Sequence, residues 1–283
     1  MNVHKLYQYY VRAVRTGTFE FRVLTSRLRC LPTALIVGAQ KSGTSSLFSY
    51  LIQHPDVFGS FTKEVHYFDG GLVQERDNYA KGDGWYRAHF PFRFRVPQQS
   101  AIIEASPSYL FLQETVRRIM DMNPEFRILA VLRNPVERAI SHYFHEVRAG
   151  RETRGLEEAI FADDPAEKFG FRLSDADFLY KIQTAYKSRG IYYPQVKNFI
   201  DIFGESQVYV IGSEQLFSAP NQTLSGVFRF LQVTDDVQIA NLQARNTNQF
   251  KKDVPENVYQ KLEAYYAPHN EKLFSFLGKR FQW

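Results

Sequence analysis

Residues 36–46, Ile-Val-Gly-Ala-Gln-Lys-Ser-Gly-Thr-Ser-Ser, gather the groups that hold an anion. Glycine lets backbone N–H groups turn toward one point, and a helix that starts there adds the partial positive charge of its N-terminus. Lys41 supplies a full charge, and Ser42, Thr44, Ser45 and Ser46 place hydroxyl donors around Gly43. The pattern reads as a phosphate-binding loop. It is not the loop of nucleoside triphosphatases, because Lys41 precedes the second glycine instead of following it. No apolar strand ends in an acid placed to hold magnesium; Glu104 comes nearest. The plainer alternative is a glycine-rich turn that binds nothing.

Two further groups could complete a site. Phe-Thr-Lys-Glu-Val-His-Tyr-Phe-Asp (61–69) holds Lys63, Glu64 and His66. Glu64 is the first candidate for a general base and His66 the second, and Lys63 could meet an anionic substrate group. If the segment is extended, Glu64 and His66 point to the same side. Partial burial is expected to raise Glu64 above the ~4.3 of a free glutamate. Alternatively, Lys63 and Glu64 form an exposed charge pair and His66 is a packed ring. Arg-Asn-Pro-Val-Glu-Arg-Ala-Ile-Ser (133–141) puts Arg133 at a strand end and Ser141 two turns along the next helix. Arg133 offers a forked donor and Ser141 a short hydroxyl bond; alternatively, Arg133 partners a helix C-terminus and Ser141 is a surface residue. Glu137 and Arg138 read as ion pairs on the helix face.

These residues need elements to position them. Leu-Pro-Thr-Ala-Leu-Ile-Val-Gly-Ala (31–39) suits a buried parallel strand. Leu47, Tyr50 and Leu51 then recur at helical spacing until Pro55. A strand near 100–104 precedes a helix expected over 107–122. A strand over 127–135 leads into a helix opened by Pro135 and closed by Gly150. Gln-Val-Tyr-Val-Ile-Gly (207–212) gives one more strand, flanked by helical patterns at about 175–203 and 221–231. Residues 255–277 read as a helix pair broken at Pro268, and 150–175 as a long excursion. Alternating strands and helices predict a single α/β domain with a mainly parallel central sheet flanked by helices. The division expected is a basic arm over 1–30 and one domain over 31–283.

Composition narrows the partners. The 283 residues are 44% hydrophobic and 23% charged, enough apolar content for a sizeable core. One cysteine, Cys30, excludes an internal disulfide and argues against a cysteine-based metal site. It fits a reducing, cytoplasmic compartment. No run reaches the ~18–20 apolar residues of a membrane span. The first thirty residues carry six Lys or Arg against Glu20, which is the whole net charge of +5. The arm reads either as a solvated helix on the domain edge or as a segment lying on an anionic membrane surface. No feature points to nucleic acid.

Together these motifs resemble those of sulfotransferases that use 3′-phosphoadenosine 5′-phosphosulfate (PAPS). The likeness rests on the loop's lysine placement, on 63–69, on 133–141 and on the closing 269–283. Heparan-sulfate and related glycan sulfotransferases, bacterial ones included, are the most similar branch. The resemblance implies a P-loop-like 5′-phosphosulfate loop, in-line sulfuryl transfer to a carbohydrate hydroxyl or amine, and PAP as product, with no metal required. It assigns Lys41 to the bridging oxygen, Ser42 to Ser46 to the 5′-phosphate, and Arg133 and Ser141 to the 3′-phosphate. Tyr192 matches the family's tyrosine in the adenine region, and Arg245, Lys251 and Lys252 match a late cofactor-binding loop. Glu64 corresponds to the base of the glycan branch, whereas many small-molecule members use histidine. Ala105 stands where several glycan members carry a lysine, which leaves open a neutral sugar, a small lipid or a natural-product alcohol as acceptor. A non-catalytic PAP-binding or membrane-associated module is the reading from another class.

Overall fold

The computed structural model describes residues 17–73, 77–162, 177–244 and 254–283. Its strands are β1 (Ala34–Gly38), β2 (Val57–Gly59), β3 (Ala101–Ala105), β4 (Arg127–Leu132) and β5 (Val208–Gly212). The helices are α1 (residues 17–24), α2 (Thr44–Leu51), α3 (Gly82–Arg87), α4 (Gln113–Met122), α5 (Pro135–Arg148) and α6 (Leu156–Phe161). They continue with α7 (Phe178–Thr184), α8 (Tyr192–Phe203), α9 (Ser213–Ser218), α10 (Pro220–Leu231) and α11 (Glu256–Leu277).

Among the described residues the strands form one parallel sheet in the order β2-β3-β1-β4-β5. Strand residues alternate between two cores, as the pleat requires. Leu35, Val37, Ile128, Ala130 and Leu132 face α4, α8 and α11. Ala34, Ile36, Leu129 and Val131 face α2, α9 and α10. Both faces are covered, which is why these strands read as unbroken apolar runs. Each fully buried Val, Leu or Ile contributes about 1.5–3 kcal/mol relative to exposure. The α/β class and the parallel sheet expected from sequence are found.

The connection after β1 runs toward the β2 edge, and that after β4 toward β5. Such a reversal leaves a crevice at the carboxyl ends of the two neighbouring strands, where open α/β sheets bind ligands. The Lys41 loop follows β1 and Arg133 follows β4, so both anion-binding candidates open onto this crevice.

Four expectations need correction. The helix expected from 107 begins at Gln113, because 106–112 forms turns pinned to β1 by the Leu110 N–H donating to the Val37 carbonyl at 2.8 Å. That close approach demands glycine at 38, where a Cβ would sit 2.6 Å from Leu110 Cβ. The expected helix pair is one helix, α11, that runs through Pro268. Its two halves are anchored in different cores, Val258, Leu262 and Tyr266 in one and Leu273 and Phe274 in another, and this packing outweighs the lost backbone bond. Strand β2 is a short three-residue edge strand that left no periodic signal. Within the 150–175 excursion lies α6; residues 163–176 are outside the described residues.

Candidate active site

The anion-binding loop is built as its sequence demands. Gly43 takes φ +97° and caps α2 without a side-chain bond, so the first N–H groups of that helix keep no intrahelical partner. Lys41 also sits in the left-handed region at φ +68°. This is uncommon for a residue with a side chain and costs backbone energy. Among the described residues nothing hydrogen-bonds the Lys41 ammonium. Burial, with Arg148 and Arg133 nearby, lowers its pKa from the ordinary lysine value.

Arg133 locks the loop to β4. Its Nη1 donates to the Lys41 carbonyl at 3.1 Å and its Nη2 to Glu137 Oε2 at 3.2 Å. Helix α5 starts cleanly behind it: Asn134 accepts from the N–H groups of Val136 and Glu137 at 2.9 and 3.4 Å, and Pro135 occupies the first turn. Glu137 thus pairs with the strand-end arginine rather than along the helix. Arg138 is buried and donates to the Tyr186 carbonyl, so it is not a surface ion pair either.

The 61–69 segment is not extended. Glu64 and His66 both adopt left-handed φ, +61° and +52°. The Glu64 N–H donates to the Ala105 carbonyl at 3.0 Å, and the His66 N–H to Ser106 Oγ at 3.0 Å. Two consecutive kinks, tied to the end of β3, turn the side chains toward each other. Glu64 Oε2 lies 3.6 Å from His66 Nε2, and His66 Nδ1 lies 2.6 Å from Asp69 Oδ2. Lys63 contacts the other Glu64 oxygen.

Charge follows from this chain. Burial alone would lower the His66 pKa, but the Asp69 carboxylate and Glu64 raise it to about 10. Burial alone would raise Glu64, yet the His66 hydrogen bond and the Lys63 charge bring it down to about 2. The upward shift expected for this carboxylate is therefore reversed. At neutral pH the segment holds an ionised glutamate between two cations. Behind it, Glu104 is fully buried and accepts from Ser106 Oγ at 2.5 Å; burial raises its carboxyl pKa to about 7. Through Ser106, whose Oγ accepts from the His66 N–H, Glu104 supports the 64–66 kinks.

One cavity of about 910 Å³ joins these pieces. Lys41, Gly43, Thr44, Ser45, Glu64, His66, Arg133 and Ser141 all line it. Ser42 and Ser46 are fully buried behind the loop. Lys63 lies beside Glu64 but outside the lining. Tyr192 is 1% exposed and also outside it; its hydroxyl donates to the Arg133 carbonyl at 2.9 Å. Tyr192 thus supports Arg133 from beneath the wall and offers no face to a base. Arg245, Lys251 and Lys252 lie outside the described residues.

Sequence reasoning missed several lining residues. Phe217 of α9 packs on the loop, 3.1 Å from where a Gly43 Cβ would stand. With Leu242 it supplies the apolar surface there. On the far side Arg151 grips Glu146 at 2.6 and 3.1 Å, and Arg189 donates to Ser108 at 3.2 Å. Leu72, Leu179 and Ile182 add apolar wall. These residues come from scattered turns and short helices with no shared motif. The donor set around the loop, one ammonium, one guanidinium, hydroxyls and the N-terminal N–H groups of α2, fits a ligand with two separated phosphates.

Comparisons with known proteins agree with this architecture. Residues 31–283 match the family described as the sulfotransferase domain. Heparan sulfate glucosamine 3-O-sulfotransferase 6 of Mus musculus is 31% identical over 280 residues, covering 90% of this chain and 74% of that protein. The mouse 3-O-sulfotransferase 5 is 29% identical over 275 residues, 89% and 74% of the respective chains. Membrane-associated sulfotransferase kil1 of Dictyostelium discoideum is 26% identical, with 91% and 67% covered. A sulfotransferase from Alicyclobacillus acidocaldarius superposes with a TM-score of 0.72 at 31% identity, over 89% of this chain and 98% of that one.

Proposed function

The chain belongs to the sulfotransferase domain family, and we propose that it moves a sulfuryl group from PAPS to a hydroxyl or amine of a carbohydrate, with Glu64 as general base. The observation that carries this reading is the single cavity lined by both Lys41 and Glu64. The heparan sulfate relatives support a carbohydrate acceptor.

Bound PAPS would supply an activated sulfuryl group open to in-line attack. The chain's part is positioning and electrostatics. Gly43 to Ser45, with the first N–H groups of α2, hold the 5′-phosphate, and buried Ser42 and Ser46 shape the loop. Lys41, whose ammonium has no hydrogen-bond partner among the described residues, neutralises charge on the departing phosphate oxygen. Arg133 and Ser141 take the 3′-phosphate, with Tyr192 fixing Arg133. Arg245, Lys251 and Lys252, which lie outside the described residues, are assigned to the nucleotide only by their likeness to the family's late cofactor-binding loop.

Glu64 accepts the acceptor's proton. At rest two cations hold it ionised and weakly basic. When Lys63 turns to the sulfuryl oxygens, one cation leaves and the carboxylate becomes a stronger base at the moment it is needed. His66, kept protonated by Asp69, orients Glu64 and does not itself compete as the base.

The apolar wall of Leu72, Leu179 and Ile182 favours a second acceptor class, a small lipid or natural-product alcohol. Among the described residues no helix is long and apolar enough to cross a membrane. We propose that the basic arm lies against a membrane surface, a reading consistent with the relative named membrane-associated sulfotransferase kil1.

Thermal melting with PAP in the absence of magnesium tests the donor. A ligand that binds only the folded state raises the melting temperature by mass action. PAP should do so, and ATP with magnesium should not; the reverse result points to a nucleotide kinase or ATPase. Labelled PAPS offered with glycans and small alcohols then identifies the acceptor.

A further inference from the structure

Half of the exposed large apolar side chains among the described residues fall in one region. They are Phe21, Leu24 and Leu28 with Phe61 and Phe94, exposed by 57, 84, 59, 65 and 76%. The first three follow helical spacing along α1 and the turn after it, so they form one outward stripe. The inward side of this segment is fixed: Phe19 packs on Trp85 and His89, and Arg22 donates to the carbonyls of Ala88 and Phe90 at 2.5 and 3.0 Å. The Arg22 guanidinium also lies 4.8 Å over Phe61. Arg29 lies 3.9 Å over Phe92, which stacks on Phe94 at 5.1 Å. These contacts weld residues 17–30, 61–62 and 88–97 into one surface.

The charge on that surface is mostly positive. The three segments carry five arginines against a single acid, Glu20, and Arg27, Arg93 and Arg95 are exposed beside the apolar side chains. We infer that this composite face docks on an anionic lipid bilayer, with Phe21, Leu24, Leu28, Phe61 and Phe94 entering the headgroup boundary and the arginines meeting lipid phosphates. It builds on the proposed membrane contact of the basic arm and extends it to residues far along the chain. A second copy fits poorly, because a two-fold contact lays the patch on itself and sets arginine against arginine. Residues 1–16 fit no better as a cover: they carry Lys5, Arg12 and Arg15 and no acid. A sulfated glycan or nucleic acid would satisfy the arginines and leave Leu24 and Leu28 in water. The patch ends three residues before Glu64, so docking brings the base-bearing segment near the bilayer.

The test is co-sedimentation of the full chain with phosphatidylcholine vesicles, with and without phosphatidylglycerol, and it involves no transfer chemistry. Binding is expected to the phosphatidylglycerol vesicles only and to fall as salt is added. Leu24→Ser with Leu28→Ser, and separately Arg27→Gln with Arg95→Gln, should each weaken it roughly ten- to thirtyfold. Melting temperature and PAP affinity of these surface variants should match the parent, which separates lost docking from lost fold. Binding to neither vesicle overturns the inference, as does parent-like binding by the variants. So does a dimer that the leucine variants abolish, or retention on heparin or an oligonucleotide without vesicle binding.

Discussion

The Nδ1 atom of His66 stands 2.6 Å from Oδ2 of Asp69, a carboxylate that is 1% exposed. This pair fixes the ring so that Nε2 faces Glu64, and it keeps the ring charged. Asp69 therefore acts on Glu64 through His66, as a positioning residue.

Asp69→Asn should keep the geometry and lose the charge. With the anion gone, His66 deprotonates at lower pH. The alkaline limb of the rate profile should move down, and kcat should fall on the order of 10²-fold, while PAP affinity stays near that of the parent. A parent-like pH profile would show that the Asp69 charge has no bearing on the base.

The same groups set a pH window for stability. The raised His66 pKa contributes stability that is complete below its ordinary 6.5 and lost as pH climbs through about 10. The depressed Glu64 pKa contributes stability complete above its ordinary 4.5 and lost as pH falls through about 2. Both contributions are whole between these ordinary values. Denaturant midpoints should show Glu64→Gln narrowing its gap to the parent as pH falls below 4.5 and His66→Gln narrowing its gap as pH rises from 6.5 to about 10. Gaps that stay constant across pH would refute the linkage.

Gly43→Ala should weaken PAP binding and cost roughly 1–2 kcal/mol in stability, because alanine resists φ +97°. The added Cβ also meets Phe217 Cζ at 3.1 Å. Adding Phe217→Ala should relieve the contact and leave the backbone strain, so stability returns only in part by thermal melting. Full recovery would place the whole cost in the side-chain contact.

Much of this site was legible beforehand for a physical reason. Lys41, Gly43 and Arg133 sit at strand ends, where a branched apolar run stops and a helix signal begins. Pro135 and Asn134 mark the start of α5 by local chemistry alone. Glu64 and His66 were legible as residue types, but their approach depends on two left-handed kinks pinned by Ala105 and Ser106, forty residues away. The Glu64 shift runs opposite to the sequence expectation because the kinks set the neighbouring Lys63 and His66 against its carboxylate, and they outweigh burial. Tyr192 reads as a ligand face in the sequence because its motif is visible and its burial is not. Phe217, Glu146 and Arg189 share no spacing with the loop, so only the fold assembles them. Pro268 gave a true local signal that packing overrides.

Tyr192→Phe removes the hydroxyl that donates to the Arg133 carbonyl at 2.9 Å. The expected loss is about 1 kcal/mol of stability, with a raised KM for PAPS and little change in kcat. A fall in kcat at unchanged KM would mean that the hydroxyl serves the chemical step and not the support of Arg133.

The most direct measurement is labelled-sulfur transfer from PAPS by Glu64→Gln, with PAP affinity determined on the same protein. If Glu64 removes the acceptor's proton beside a Lys41-held donor, transfer drops on the order of 10²- to 10⁴-fold while PAP binds as tightly as to the parent. Transfer at the parent's rate, or a loss of PAP affinity as large as the loss of transfer, would contradict that account.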